Sequence, residues 1–354
     1  MELLSALSLF PMPGSAETRA KQLISRDPDW DLMFQRAHSL EILPVVYANL
    51  AEPGLLDIPV GIRNRAARQL QTARARIMAR VLTANHVLER FASEGISTLV
   101  LKGPATGVSA YGDPSLRNFA DLDVLVRREA VGASRDLLLS LGFKPHYEPE
   151  AEDRLLLAGH ALEFMRPTLK VELHTELMSR YLRVPFVNEE VWGTSRFVRC
   201  ADASIRVLSP DIEFIFLAAH GAKHEWLGFR WICDVGHLAR RLSREERLAV
   251  AARSRRLNSL KLVALAVQLV RDAFALECGE ELETVRRQFD SIALSRHVLS
   301  RFCVDAIGSS AVTRVLGRVH PVIPSLIFWS RTRERWRDRL LPVVSLAAGR
   351  FRGA

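Results

Sequence analysis

Two aspartates separated by one residue stand inside the apolar run NFADLDVLV, at positions 118 to 126. Side chains alternate along a β-strand, so Asp121 and Asp123 share one face while Leu122 and Val124 share the other. Burial of the apolar face would hold both carboxylates in a defined place. On its own, this spacing is more often a solvated strand surface than a metal site.

A third carboxylate has the same setting in the later stretch KVELH. Glu172 lies between two apolar residues, and Lys170 and His174 share its face. If the two strands are neighbours, three carboxylates converge, and such a cluster needs cations to stay ionised. Mg²⁺ is the expected cation, with Mn²⁺ as an alternative, because hard ions bind carboxylates together with substrate phosphates. Two such ions suit an in-line displacement that releases pyrophosphate.

The elements that must position these acids follow from hydrophobic periodicity. Residues 15 to about 94 are expected to be helical and to end at Gly95. Short apolar runs predict strands for ISTLVL and DLDVLV, joined through a turn and a short helix that starts near Pro104. The helix after DLDVLV closes at Gly142. Further strands are expected in HALEFMR, LKVELH, RFVRC and ASIRVL, the first two of them joined as a hairpin.

From Ser209 the pattern becomes helical again. Ser209, Pro210 and Asp211 form a good helix start, with an N-cap hydroxyl, a preset φ and an anion near the positive end of the helix dipole. Helices are expected to continue to about residue 350. The fold class is therefore α+β, with a small mixed β-sheet core at 95–208 between an N-terminal helical module at 1–94 and a C-terminal helical module at 209–354.

The order of these motifs resembles the nucleotidyltransferase superfamily with the DNA polymerase beta-type fold. More narrowly, LVLKGPA, YGDPSLRNFADLDVLV, LLSLGF, VELH and AAHGAKHEWLGFRWICDVGHL resemble an uncharacterised nucleotidyltransferase-like family. The resemblance covers roughly residues 40 to 240, and more faintly the helices that follow. It implies a core sheet of the DNA polymerase beta type and an enzyme that uses a nucleoside triphosphate.

The resemblance also implies roles for individual residues. Asp121 and Asp123 correspond to the metal-binding aspartates, and Glu172 to the third acid, which would hold the catalytic ion and help to deprotonate the acceptor. Gly103 corresponds to the glycine that lets the backbone approach the nucleotide phosphates.

The turn departs from the superfamily pattern. It reads Lys102-Gly103-Pro104 instead of Gly-Ser or Gly-Gly, so a hydroxyl contact to phosphate is missing, and YGDPSLRN lengthens the segment before Asp121. Lys102 and Arg117 are the candidates to bind phosphate as cations in its place. A surface charge without function is an equally weighted interpretation of each.

Two histidines follow at helical spacing. His220 and His224 are four residues apart and share one helix face, a spacing that can bind zinc. The sequence has no HExxH motif and no third ligand at a matching spacing, so zinc is not favoured. A cleft-lining pair and a packed core pair are equally favoured by the residues alone. The resembling family has a similar pair followed by Trp231 and Asp234, which favours the cleft. His220, His224 and Asp234 are therefore candidate cleft residues. His174 is a further candidate, because it follows Glu172 on the same face and could orient a carboxylate or act as a base, and a packed structural role is equally favoured.

The composition bears on the class of binding partner. The chain has 354 residues, a net charge of +9 and a pI near 9.9. This basic balance suits anionic partners such as nucleotides, and an arginine-rich composition without functional meaning is an equally favoured explanation. Four scattered cysteines indicate a reducing compartment, and neither a signal peptide nor a membrane span is expected, so the cytoplasm is the predicted location. RTRERWRDR at 331–339 is more typical of a solvated helix face than of a nucleic-acid site.

The leading hypothesis is a Mg²⁺-dependent nucleotidyltransferase that moves a nucleoside monophosphate from an NTP, with ATP expected, to an acceptor hydroxyl or phosphate. The acceptor stays open among small molecules, peptides and proteins, with nucleic acid less favoured. The altered turn supports an alternative, a catalytically degenerate nucleotide-binding or antitoxin-like protein on the same fold. A basic, helical nucleic-acid-binding protein is a third hypothesis, supported by pI alone.

Overall fold

One mixed sheet of seven strands occupies the middle of the chain in the computed structural model, which describes residues 1–53, 56–178, 182 and 184–303. The strands are β1 Leu99–Val100, β2 Asp121–Leu125, β3 Lys144–Pro145, β4 Leu162–Arg166, β5 Leu169–His174, β6 Arg196–Cys200 and β7 Ala203–Val207. Their order is β3-β4-β5-β2-β1-β7-β6. The pairs β2–β5 and β1–β7 are parallel and the other four are antiparallel.

Helices precede, interrupt and follow the sheet. Five precede it: α1 Glu2–Ala6, α2 Gly14–Ile24, α3 Trp30–Ser39, α4 Leu43–Ala51 and α5 Val60–Ser93. Four lie within it: α6 Pro104–Ser109, α7 Val131–Ser140, α8 Glu152–Ala158 and α9 Asn188–Thr194. Up to residue 303, where the described part of the chain ends, six follow it: α10 Pro210–Lys223, α11 Phe229–Arg241, α12 Arg244–Arg256, α13 Leu260–Phe274, α14 Glu280–Arg287 and α15 Ile292–Cys303. The predicted α+β class is confirmed.

Helix α5 joins the two hydrophobic cores of the molecule. Its first half contributes Ala66 and Leu70 to a core that it shares with helices from both ends of the chain. Its second half, from Ile77 to Phe91, packs under the sheet in a separate core. The helix ends where the sequence predicts, because Gly95 adopts a φ of +70°, a conformation that glycine reaches without a steric penalty.

The predicted module boundaries coincide with the ends of the sheet, but the helices on either side of it are not separate bodies. Residues such as Leu7 and Val46 from the first helices lie in the same core as Ile215 and Val267 from the last ones. The division into three modules therefore stays a prediction.

Two local expectations need correction. Strand β1 has two residues where ISTLVL predicted about six. Ser209 does precede α10, but its hydroxyl makes no cap to the backbone and instead donates to Asp211 Oδ1 at 2.7 Å. Asp211 also accepts from Arg253 Nε at 2.6 Å, so a side-chain network orients this helix start.

The cysteines and the C-terminal part of the chain complete the comparison with the sequence. Cys200, Cys233 and Cys278 are free thiols. In the described part of the chain, no helix combines the length and apolarity needed to cross a bilayer. The predicted helices between 304 and about 350, including RTRERWRDR, fall outside the described residues.

Candidate active site

Strands β2 and β5 place the three predicted acids on one face of the sheet. The two strands are parallel neighbours, with Asp123 directly opposite Glu172 and Asp121 directly opposite Lys170. Side chains of paired residues point to the same face, so the acids converge as the alternating pattern requires. Leu122 and Val124 point the other way into the core under the sheet, and their burial fixes this register.

Asp123 lies at the centre of the site and is fully buried, with 0% of its side chain exposed. Its Oδ1 accepts a hydrogen bond from the Lys102 ammonium at 2.8 Å and lies 3.2 Å from His174 Nε2. Its Oδ2 is also buried and has no hydrogen-bond partner among the described residues. An unpartnered carboxylate oxygen in a protein interior is costly and suits a bound cation.

Glu172 and Asp121 flank this centre. Glu172 is paired with the ammonium of Lys170, and its Oε2 lies 3.6 Å from His174 Nε2. Asp121 is more exposed, and its Oδ2 lies 3.8 Å from Lys170 Nζ. The carboxylates therefore alternate with cationic groups across the face of the sheet.

The surroundings shift the pKa values of Asp123, Asp121 and His174 in different directions. Burial acts to raise the pKa of Asp123, but the Lys102 ammonium and the contact with His174 outweigh it and hold that pKa well below the usual value. Burial and the charge of Asp123 raise the pKa of Asp121. Burial alone would lower the pKa of His174, yet hydrogen bonds to Asp123 and Glu172 raise it, which favours its protonated form.

A divalent cation fits three of these side chains when His174 is neutral. Asp123, Glu172 and His174 each offer a ligand atom, and these atoms all lie within 4.8 Å of one another. Histidine binds a metal through the lone pair of an unprotonated ring nitrogen, so a bound cation would displace the proton that the two carboxylates favour. Asp121 is not in that group, although it lies on the same face, and its predicted role as a metal ligand stays a prediction. His174 was expected to orient a carboxylate, to act as a base or to pack as a structural residue; its position two residues after Glu172 on the same strand is the signal that places it among the possible ligands.

Gly103 forms the turn that leads from β1 to α6. It has a φ of +64°, and a Cβ at this position would lie 3.1 Å from the carbonyl oxygen of Asp121 and 3.3 Å from the Phe119 ring. A side chain here would be strained by the positive φ and would need its neighbours to move by a few tenths of an ångström. The turn therefore lies close against β2, and α6 starts at Pro104 as predicted. The predicted approach of this backbone to nucleotide phosphates stays a prediction.

Arg117 and Asp234 form a buried ion pair behind this turn. The guanidinium donates from Nε to Oδ1 at 2.9 Å and from Nη2 to Oδ2 at 2.8 Å, and Tyr111 donates its hydroxyl to Oδ1 at 2.8 Å. Arg117 Nη1 lies 3.5 Å from the carbonyl oxygen of Gly103. Arg117 is 4% exposed and Asp234 is 1% exposed. These contacts leave both side chains committed within the protein, and their predicted nucleotide and cleft roles stay predictions.

The last turn of α10 and the start of α11 form an aromatic corner. The rings of His224 and Trp231 are stacked, with centroids 5.0 Å apart, and His220 meets both rings edge-on. Burial lowers the pKa of His224 to about 4 and that of His220 well below its usual value, so both are neutral at pH 7. The charges of Lys102 and Asp123 also act on the pKa of both rings.

Two of three comparisons with known proteins found a similarity. A family model described as "Uncharacterised nucleotidyltransferase" matches residues 26–275. No curated protein matches the chain. Among solved structures, the chain is similar to an antigenic nucleotidyltransferase-like protein from Paracoccidioides brasiliensis, at 15% identity and a TM-score of 0.34, over 56% of this chain and 93% of that one.

Proposed function

This chain belongs to the uncharacterised nucleotidyltransferase family, and on that premise we propose that it transfers a nucleoside monophosphate from an NTP, ATP foremost, to an acceptor hydroxyl or phosphate. Pyrophosphate is the second product. The observation that carries the proposal is the register that sets Asp123 opposite Glu172 and leaves Asp123 Oδ2 buried without a partner.

Magnesium fits the donor set of this site. Asp123, Glu172 and His174 would hold one ion, with Asp121 extending the acidic face toward the triphosphate. When bound, Mg²⁺ supplies charge neutralisation at the phosphates and promotes ionisation of an acceptor hydroxyl. Histidine is an uncommon magnesium ligand, and Mn²⁺ accepts nitrogen more readily, so either ion suits this set.

The chain's own residues prepare the site. Lys102 keeps Asp123 ionised through its 2.8 Å contact. Glu172 is placed to accept the proton of the acceptor hydroxyl, with His174 beside it to stabilise the carboxylate. Gly103 allows the backbone to come close to the phosphates, and Arg117 holds that turn through the Gly103 carbonyl.

The test is a search for nucleotide transfer in the presence of Mg²⁺ or Mn²⁺. Labelled NTPs are incubated with the full chain and a cell lysate, pyrophosphate is measured, and the labelled product is identified by mass. Release of pyrophosphate should be lost in Asp123→Asn and Glu172→Gln. The matched control is Asp136→Asn, an exposed acid on α7 that pairs with neighbouring Arg135. Wild-type protein that transfers no nucleotide to any lysate component would contradict the proposal.

A second candidate is a nucleotide-binding protein without transferase activity, such as an antitoxin-like partner. The observation that favours it is the set of internal cations, because Lys102, Lys170 and His174 already compensate the acids. Calorimetry separates the two candidates: this one predicts NTP binding that does not require Mg²⁺ and produces no pyrophosphate.

A further inference from the structure

Two ammonium groups lie among the three acids of the candidate site. Lys102 Nζ lies 2.8 Å from Asp123 Oδ1. Lys170 Nζ contacts Glu172 Oε1 and lies 3.8 Å from Asp121 Oδ2. A lysine that is paired with a carboxylate stays charged at neutral pH, so two positive charges oppose the three negative ones.

The position of Lys102 is set by the sheet. Val100 lies opposite Val124 in the antiparallel pair of β1 and β2, and the backbone N–H of Leu101 donates to the carbonyl oxygen of Asp123 at 3.0 Å. Lys102 is the next residue along the chain. The backbone pairing therefore brings the lysine beside Asp123, and the contact of its ammonium group with the carboxylate follows from this register.

The pair of Lys102 and Asp123 is shielded from water. Only 13% of the Lys102 side chain is exposed, and the Asp123 side chain is fully buried. A buried carboxylate without a counter-ion is costly, whereas one that bonds an ammonium group recovers part of the lost hydration. Lys102 therefore allows Asp123 to stay ionised in the protein before any metal ion is bound.

The same ammonium group opposes the binding of a free divalent cation. The ligand atoms that Asp123, Glu172 and His174 offer lie within 4.8 Å of one another, and Lys102 Nζ is in contact with one of the Asp123 oxygens. An ion held by this set would thus lie close to a positive charge. Like charges repel strongly at short range where water is excluded.

We propose that Lys102 acts as the resident cation of Asp123 in the free protein, so that the site takes up a divalent ion together with a nucleoside triphosphate and not as the free ion. This inference rests on the proposed function and assigns Lys102 a regulatory role at that site. The phosphates of the arriving ligand offer the ammonium group a new anionic partner, and a flexible lysine stem suits such an exchange.

The test is a titration of the full chain with Mn²⁺ alone, without nucleotide, in which electron paramagnetic resonance measures the ion that stays free. Lys102→Gln removes the ammonium group and should bind Mn²⁺ about 10- to 100-fold more tightly than wild type. Lys170→Gln should shift the affinity in the same direction by a smaller factor, and it keeps the test decisive if Lys102→Gln does not fold. Lys21→Gln, which removes a lysine–glutamate pair on α2, is the matched control and should bind Mn²⁺ as wild type does.

Thermal unfolding gives a second readout. Without metal, Lys102→Gln should unfold at a lower temperature than wild type, because Asp123 loses its counter-ion. Mn²⁺ should raise the midpoint of this variant and leave that of wild type nearly unchanged. A lysine with a merely structural role would lower the midpoint without any gain in Mn²⁺ affinity.

Three outcomes of the titration would overturn this inference. Wild-type protein that binds free Mn²⁺ as tightly as the two lysine variants would show that the ammonium groups do not oppose the ion. Weaker Mn²⁺ binding in Lys102→Gln would show that this lysine orders the metal ligands. Absence of Mn²⁺ binding in wild type and in both variants would also contradict it. The nucleotide-transfer assay decides the proposed function separately, so the two can fail independently.

Discussion

Two fully buried aspartates face cations in this protein, and they are satisfied to different extents. Asp234 receives two hydrogen bonds from Arg117 and one from Tyr111, so both of its oxygens have partners. Asp123 receives its contacts from Lys102 and His174 on Oδ1 alone, and its Oδ2 has none among the described residues. The two sites lie on either side of the Gly103 turn.

The difference separates a structural ion pair from a site prepared for a ligand. A buried pair whose hydrogen bonds are all made contributes a fixed geometry, and removing one partner leaves a charge without compensation. A buried carboxylate that has one oxygen without a hydrogen-bond partner can still bind a cation through that oxygen. We therefore expect substitutions at Asp234 to affect folding and substitutions at Asp123 to affect chemistry.

The largest effect is expected for Asp123→Asn on nucleotide transfer. The amide keeps the shape but removes the charge that would hold a cation, so the rate of pyrophosphate release should fall at least about 10⁴-fold, equal to roughly 5 kcal/mol. The thermal midpoint should also fall, because Lys102 loses the carboxylate that it bonds, but it should fall less than in Asp234→Asn, since the charges of Asp121 and Glu172 still act on that ammonium group. Equal destabilisation of the two variants would show that Asp123 is a structural residue and remove the contrast.

Asp234→Asn should give the largest loss of stability. Arg117 would stay buried without a counter-ion, and the free energy of unfolding should fall by about 3–5 kcal/mol, measured by urea denaturation. Glu94→Gln removes an exposed ion pair with Arg90 on α5 and should leave the unfolding midpoint unchanged. A stable Asp234→Asn protein with normal turn geometry would contradict the structural role.

Glu213 extends the comparison of Asp123 and Asp234 to a third buried acid, one that no cation contacts among the described residues. Burial raises its pKa to about 7, against 4.5 for an exposed glutamate. Below pH 4.5 the group is protonated in the folded and the unfolded chain alike. As the pH rises from 4.5 to 7, the unfolded chain releases this proton before the folded chain does. The free energy of unfolding therefore falls by about 3 kcal/mol over this pH range.

Glu213→Gln stays neutral and should lack this pH-dependent loss. The difference in unfolding free energy between Glu213→Gln and wild type should therefore grow from near zero at pH 4.5 to about 3 kcal/mol at pH 7.5. Urea denaturation at several pH values measures it. A difference that stays constant with pH would show that Glu213 is ionised in the folded protein.

The smallest effect is expected for Tyr111→Phe. The hydroxyl that donates to Asp234 Oδ1 is lost, but Arg117 Nε still bonds the same oxygen, so the free energy of unfolding should fall by only about 1 kcal/mol. The thermal midpoint should drop accordingly. A loss as large as that of Asp234→Asn would mean that the tyrosine, rather than the arginine, holds the carboxylate in place.

Local sequence patterns predicted much of this fold. The apolar stripe from Ile77 to Phe91 is buried as its spacing requires, and Gly95 and Gly142 both adopt positive φ values at helix ends. The hairpin of β4 and β5 formed around the proposed turn. These features depend on residues a few positions apart, so a single chain segment contains the information.

The partners of the site residues could not be predicted in the same way. Arg117 and Asp234 are separated by 117 positions; Arg117 was a candidate phosphate ligand and Asp234 a candidate cleft residue, and no local pattern indicated that the two form an ion pair. Lys102 pairs with an acid that the sequence assigned to metal alone.

The sequence by itself determined which acids share a face of their strands, because side-chain alternation is a property of each strand alone. The turn at Gly103 was implied only by the resemblance to nucleotidyltransferases, and the structure adds its positive φ and its close contact with β2. Only the tertiary structure decided that β2 and β5 are neighbours in a register that sets Asp123 against Glu172. That register follows from the burial of apolar side chains contributed by distant segments. It decides which charged groups are hydrogen-bonded within the protein and which carboxylate oxygen stays available for a ligand.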